Sequence, residues 1–143
     1  MRKIVFFFVL IVFGFDAPAQ TVPNADILDQ QAPGVFQVEF QTTAGSFIVE
    51  ARRSWSPDGV DRLYQLVRSG FYRDAAIFRV QPGYVVQFGI SPHPRVNAFW
   101  EKHPLPDEPV KKSNLKGTLA YAREGKMSRT TQLFINYRDN HKL

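Results

Sequence analysis

Arg79 and Gln87 are the side chains best placed to do chemistry. They lie in the stretch Ile77-Phe78-Arg79-Val80-Gln81-Pro82-Gly83-Tyr84-Val85-Val86-Gln87-Phe88-Gly89. Two short β-branched and aromatic runs are split there by Pro82-Gly83, a pattern that predicts strand, turn, strand. Alternation along the second run puts Val85 and Gln87 on one face and Val86 and Phe88 on the other, while Arg79 sits near the end of the first. A guanidinium, an amide and an apolar wall then share one surface. Such a surface offers directed N–H donors without any nucleophile or metal. By itself the pattern also describes an ordinary solvated sheet face.

Other chemistries find less support. His93, His103 and His141 show no ligand spacing and there is no Cys, so neither a metal site nor a cofactor is expected. No G-x-S-x-G context marks a hydrolase nucleophile. Lys and Arg are scattered, with Arg52-Arg53 and Lys111-Lys112 the only adjacent basic pairs beyond the leader, which argues against nucleic acid as a partner.

The elements that would position this surface follow from patterning. At 143 residues, 44% hydrophobic and 22% charged, the chain has the size and composition of one globular domain. Residues 1–19 belong to another regime: Arg2-Lys3, an apolar run from Ile4 to Phe13, then Ala17-Pro18-Ala19. A basic start, a short apolar run and an A-x-A site predict a signal peptide cut before Gln20 and a periplasmic or secreted protein, with no membrane contact after cleavage. Cleavage leaves sixteen basic against twelve acidic side chains. Residues 20–34 are polar and carry Pro23 and Pro33, so a flexible lead-in is expected before a domain over 35–143.

Phe36, Val38 and Phe40 alternate with polar residues, Thr43-Ala44-Gly45 interrupts, and Phe47, Val49 and Ala51 resume, which predicts an antiparallel hairpin with one buried face. Ser56-Pro57 starts a helix with Val60, Leu63, Tyr64 and Val67 on its apolar stripe, and Gly70 closes it. Five prolines between residues 90 and 116 predict a long surface excursion without long regular elements. Thr118–Ala122 and Gln132–Asn136 read as strands. In the latter, Gln132 and Phe134 share one face and Leu133 and Ile135 the other. With an apolar residue on each face, the strand must cover or bind something on its second side.

The run Phe78-Arg79-Val80-x-Pro82-Gly83-Tyr84-Val85-Val86-Gln87-x-Gly89, followed by Gly117-Thr118-Leu119-Ala120-Tyr121-Ala122 and then Gln132-Leu133-Phe134-Ile135-Asn136, resembles the cyclophilin family of peptidyl-prolyl cis-trans isomerases. The likeness runs from about Val35 to Leu143, and the segment from Asn97 to Val110 is similar to exported bacterial members. It implies a mainly β fold, an antiparallel eight-stranded barrel capped by two helices with the substrate groove on its outer surface. It also implies a monomer that acts on proline-containing polypeptides. Carried over by position, it makes Arg79 catalytic and places Tyr84, Val85, Gln87, Ala122, Arg123, Gln132, Phe134 and Leu143 in the groove. Tyr84 stands for a Phe, Val85 for a Met and Arg123 for an Asn, while Lys142 falls where drug-sensitive members have a Trp. The resemblance further implies that the last strands and second helix lie beyond Leu143. The expected consequence is an unclosed barrel with Leu119, Tyr121, Leu133 and Ile135 open to water, and an uncertain activity for this chain.

The implied chemistry has a simple physical basis. Rotation about an Xaa-Pro bond is opposed by amide resonance, a barrier of ~18–20 kcal/mol, and resonance depends on the imide nitrogen lone pair. An N–H donor aimed at that nitrogen favours the twisted transition state over both planar ground states. Phe134, Val85 and Leu143 would line an apolar pocket for the pyrrolidine ring, with Gln87 and the backbone near Ala122 holding the peptide. A non-catalytic proline-peptide-binding or chaperone module on the same fold is the alternative.

Overall fold

The computed structural model describes residues 20–143; the expected signal peptide, residues 1–19, lies outside the described residues. Among the described residues, two antiparallel sheets, two α-helices and a short 3-10 turn make up the architecture.

Strands β1 (Val35–Thr42) and β2 (Gly45–Arg52) pair in full register from Val35 with Arg52 to Thr42 with Gly45, leaving Thr43-Ala44 as a two-residue loop. Phe36, Val38, Phe40, Phe47 and Ala51 turn inward, as the alternation predicts. Helix α1 (Pro57–Arg68) follows, with Pro57 supplying a fixed φ where no N–H is needed. It stops in a Schellman arrangement: Gly70 adopts φ +69, the Phe71 N–H donates to Leu66 O (2.9 Å) and the Gly70 N–H to Val67 O (3.0 Å).

The second sheet has the order β3-β4-β6-β5, with β3 (Ile77–Gln81), β4 (Val85–Phe88), β5 (Leu119–Tyr121) and β6 (Leu133–Asn136), all neighbours antiparallel. Gln81-Pro82-Gly83-Tyr84 joins β3 to β4 by a tight turn closed by the Tyr84 N–H on Gln81 O (3.0 Å), with φ +68 at Gly83. Positive φ at the third turn position is the type II signature, and Pro-Gly supplies it without strain.

Helix α1 lies between two apolar clusters. Its Leu63, with Val60 and Val67, joins Ala51, Phe88, Leu133 and the inner aromatics of the hairpin, while Leu66 faces Phe71, Val96 and Trp100. One stripe was legible in the sequence; the second flank, with Leu66 and the buried Arg62 and Gln65, was not. Arg62 stays satisfied in the interior by donating to His103 O (2.7 Å) and Thr130 O (3.3 Å) while its guanidinium lies 5.0 Å from the Trp100 ring.

Three expectations are corrected. The proline-rich stretch is not only a surface excursion, because Pro94–Glu101 forms helix α2 and buries Val96 and Trp100. Pro94 occupies the first helical turn, the one place where proline starts a helix instead of ending it. Residues 20–34 are docked instead of flexible. A 3-10 turn spans Ala25–Asp29, the Gln65 side-chain amide donates to Leu28 O (3.0 Å) and Gln30 O (2.9 Å), and the Ala32 N–H donates to Asp61 (2.9 Å). Finally, Leu133 is buried and Leu119, Tyr121 and Ile135 are half-buried against the hairpin and α1, so these residues are covered. The exposed apolar residues of this sheet are instead Ile77, Phe78 and Val80 on edge strand β3.

Candidate functional site

Sheet register builds the site. Arg79 stands opposite Gln87, Gln87 opposite Phe134, and Phe134 opposite Ala120, so four strands contribute one side chain each to a single row. Residues paired across antiparallel strands share a face, which puts this row on the side of the sheet away from Phe88, Leu133 and Ile135. A register shift between Ile77 and Arg79 marks a bulge that sets the approach of β3 to β4 at this point.

Polar contacts run along the row. The Arg79 guanidinium donates through Nη1 to Gln87 Oε1 (3.1 Å) and through Nη2 to Gln81 Oε1 (2.5 Å), and Gln87 Nε2 donates to Gln132 Oε1 (2.9 Å). Both acceptors of Arg79 are neutral amides, and among the described residues no carboxylate pairs with it. Of the five N–H donors of a guanidinium, three remain for a ligand, on a side chain braced from two directions. Gln81 was not expected as a brace. Its signal was the i, i+2 spacing to Arg79, which places both on one face of β3.

The remaining predicted residues divide into three groups. Gln132 stands beside the row, tied to Gln87, and its carbonyl accepts the Ala122 N–H (3.0 Å), so Ala122 and Gln132 continue the surface at the end of β5 and β6. Val85 and Tyr84 lie toward the opposite end. Val85 is on the same face but only 3% exposed, and the neighbouring Asn136 is as deeply buried, because the turn after β6 folds over them. Asn140 holds that turn down by donating to Tyr84 O (3.2 Å) and Asn136 Oδ1 (2.8 Å). The Tyr84 ring has the Arg138 guanidinium 5.2 Å from its centroid. Arg123 and Leu143 are placed apart from the row: Arg123 pairs with Asp107 at 3.7 Å, and Leu143, 57% exposed, contacts Asn140 and Asn114 through its backbone.

A second polar assembly supports this surface from behind. Glu108 accepts from Ser56 Oγ (2.5 Å), the Asp58 N–H (2.8 Å), the Gly59 N–H (3.2 Å) and Arg129 Nη1 (3.1 Å). The sequence pointed to Ser56 as the helix cap. Ser56 is the N-cap residue, but a carboxylate fifty residues away satisfies the orphan N–H groups at the start of α1. Burial pushes the Glu108 carboxyl up, yet the Ser56 hydroxyl, the Asp58 and Gly59 N–H groups and Arg129 together hold it below its ordinary value of 4.5. Arg129 also donates to Pro106 O and lies 6.0 Å from the Tyr121 ring, while its carbonyl accepts the Leu105 N–H (2.8 Å). The loop that delivers the chain into Gln132 and Phe134 is thereby fastened to α1. Among the described residues no cluster of His, Asp or Glu is arranged to hold a metal ion.

Two concavities lie away from the row. One, about 270 Å³, is lined by Thr21, Asn24, Ile27 and Ser69; the other, about 140 Å³, by Val38, Phe40, Val67 and Tyr72. Neither brings donors together around an apolar floor in the way that the Arg79 row does.

Known proteins place this geometry in context. A family model for the cyclophilin type peptidyl-prolyl cis-trans isomerase/CLD domain matches residues 37–143. The chain is 32% identical over 105 residues to peptidyl-prolyl cis-trans isomerase B of Escherichia coli (strain K12), covering 72% of this chain and 63% of that protein. It is 34% identical over 106 residues to peptidyl-prolyl cis-trans isomerase A of Dickeya dadantii (strain 3937), covering 69% of this chain and 53% of the relative. The chain thus spans less than two thirds of the length of these relatives. The crystal structure of cyclophilin AquaCyp293 from Hirschia baltica shares the fold with a TM-score of 0.57 at 14% identity, covering 85% of this chain and 66% of that one.

Proposed function

The chain belongs to the cyclophilin-type peptidyl-prolyl cis-trans isomerase family, and from that premise we propose that it accelerates rotation about Xaa-Pro bonds with Arg79 as the catalytic residue. The observation that carries this reading is the bracing of Arg79 by two neutral amides beside Phe134. A guanidinium paired with a carboxylate would spend its field and its donors on that partner; Arg79 keeps both for a ligand.

A proline ring laid on Phe134 sets the preceding peptide bond across the row. One free Arg79 N–H then points at the imide nitrogen, whose lone pair becomes available only when the bond twists out of resonance. Because that hydrogen bond is weak in either planar ground state and strong in the twisted one, it lowers the barrier and not merely the substrate's energy. Gln87, held at both ends of its amide by Arg79 and Gln132, fixes the distance between donor and apolar floor. Ala122 and Gln132 carry the chain that precedes the proline, and Tyr84 borders the groove at the other end of the row. No proton changes hands and no covalent intermediate forms.

The clients in this reading are proline-containing segments of exported proteins met during folding, and the protein acts as a monomer in the periplasm or outside the cell. The leader motif in residues 1–19 supports that setting.

Exchange spectroscopy on a short Xaa-Pro peptide tests the function. Cis and trans resonances that exchange slowly in the free peptide, on a timescale of tens of seconds or more, should broaden and coalesce when catalytic amounts of the protein are added. Peptide binding without faster exchange would instead establish the non-catalytic module.

A further inference from the structure

Away from the Arg79 row, a protruding tip combines apolar and cationic groups in a way that the isomerase reading does not use. Val110, at 89%, is the most exposed large apolar side chain among the described residues, and Trp55 is 42% exposed. The two residues after Val110 tie its segment to that of Trp55: Lys111 Nζ donates to Ser54 O (2.9 Å) and Lys112 Nζ lies 5.2 Å from the Trp55 ring centroid. The Arg52 guanidinium lies 5.8 Å from the same ring. Glu50 pairs with Arg52 at 2.5 Å, so the group carries two net positive charges around its apolar tip.

We propose that this tip is a peripheral docking surface for an anionic lipid bilayer. Its shape decides between partners. A bound polypeptide needs a groove or an unpaired strand edge to satisfy its backbone, whereas a residue as exposed as Val110 is a protrusion. A bilayer surface accepts a protrusion. Indole rings settle at the headgroup level, and Val110 enters the boundary beside Trp55. Lys111 and Lys112 lay their alkyl stems along the apolar contact and keep their ammonium groups among the phosphates. Each cation near an anionic leaflet strengthens binding about fivefold. After leader removal, sixteen basic against twelve acidic side chains leave a formal net charge of +4, which adds a longer-range attraction of the same sign. This surface goes against the expectation of no membrane contact after leader removal, and it would hold the isomerase face near proteins emerging at a membrane.

The test uses the protein purified from an exporting host, with the same N-terminus in every variant, titrated with vesicles of phosphatidylcholine alone or enriched in phosphatidylglycerol. Trp100 is fully buried, so a blue shift of tryptophan emission reports Trp55. Phosphatidylglycerol vesicles should produce that shift and phosphatidylcholine vesicles should not. The double variant Lys111→Gln, Lys112→Gln should weaken binding about 25-fold, and Trp55→Ala should weaken it while abolishing the emission change. Both variants alter exposed side chains only, so an unchanged far-ultraviolet spectrum shows that the fold survives. No vesicle binding by the wild type, or equal affinity in wild type and double lysine variant, overturns the proposal. Binding to polyglutamate with none to vesicles overturns it in favour of an acidic polypeptide partner.

Discussion

Replacing Glu108 should loosen the fold at the junction of α1 with the loop before β6. The carboxylate satisfies two N–H groups at the helix start, the Ser56 hydroxyl and Arg129, and its side chain is 11% exposed against 13% for Arg129. Glu108→Ala removes a helix cap, costing about 1 kcal/mol. It also strips a largely buried guanidinium of its counter-ion, which costs about 3–5 kcal/mol in a fully enclosed pair. The residual exposure and the remaining bond from Arg129 to Pro106 O reduce the second figure, so a total of about 3–4 kcal/mol is expected. Glu108→Gln keeps acceptor capacity but not the charge, and should cost about half as much. Because the carboxyl is held below its ordinary 4.5 in the folded protein, its stabilising effect is complete above that value and is lost as pH falls through the folded value. The wild type should therefore lose stability from about pH 5 downward more steeply than Glu108→Gln. Urea unfolding followed by circular dichroism across that range measures both effects. A loss under about 1 kcal/mol for Glu108→Ala, or parallel pH profiles, would refute the role assigned to this carboxylate.

Gly89→Ala should cost at least about 2 kcal/mol, because Gly89 has φ +109 and an added Cβ would lie 2.8 Å from Gln132 Cα and against the Thr131 carbonyl. Thermal melts check the cost, and a displaced Gln132 side-chain amide signal locates it. Trp100→Ala should destabilise by about 3–5 kcal/mol, since the ring is fully buried between Phe71, Phe99 and Arg62; denaturant unfolding measures it. Burial raises the Tyr72 and Tyr121 phenols well above their ordinary 10.0, so the folded state keeps protons that the unfolded chain releases. Stability should then fall as pH rises past about 10, and absorbance titration should show these two phenols ionising only with unfolding.

Much of the site was legible because its logic is local. Alternation assigned Gln87 and Phe134 to faces, and Pro82-Gly83 announced the turn that joins β3 to β4. What alternation could not supply was the register that sets Arg79 against Gln87 or the bulge that adjusts it, since pairing depends on the whole sheet. Distant partnerships left no local trace either. Glu108 reaches α1 across fifty residues, and Gln65 fastens a lead-in whose proline and polar content read as loose chain. Helix α2 was hidden by prolines counted as breakers, when one of them stands at a helix start. The turn over Val85 was equally unreadable, because Asn140 acts through the distant carbonyl of Tyr84 and through Asn136 Oδ1, neither of which hydrophobic alternation marks.

The central claim is that Arg79 acts in the transition state and not in holding the peptide. Exchange rates and peptide affinity measured side by side for wild type and Arg79→Ala test it most directly. Loss of one preorganised donor should lower the catalysed rate ~10²–10³-fold, about 3–4 kcal/mol, while the dissociation constant changes only a few-fold. A variant that isomerises as fast as the wild type, or one whose lost rate is matched by an equal loss of peptide affinity, would contradict the account.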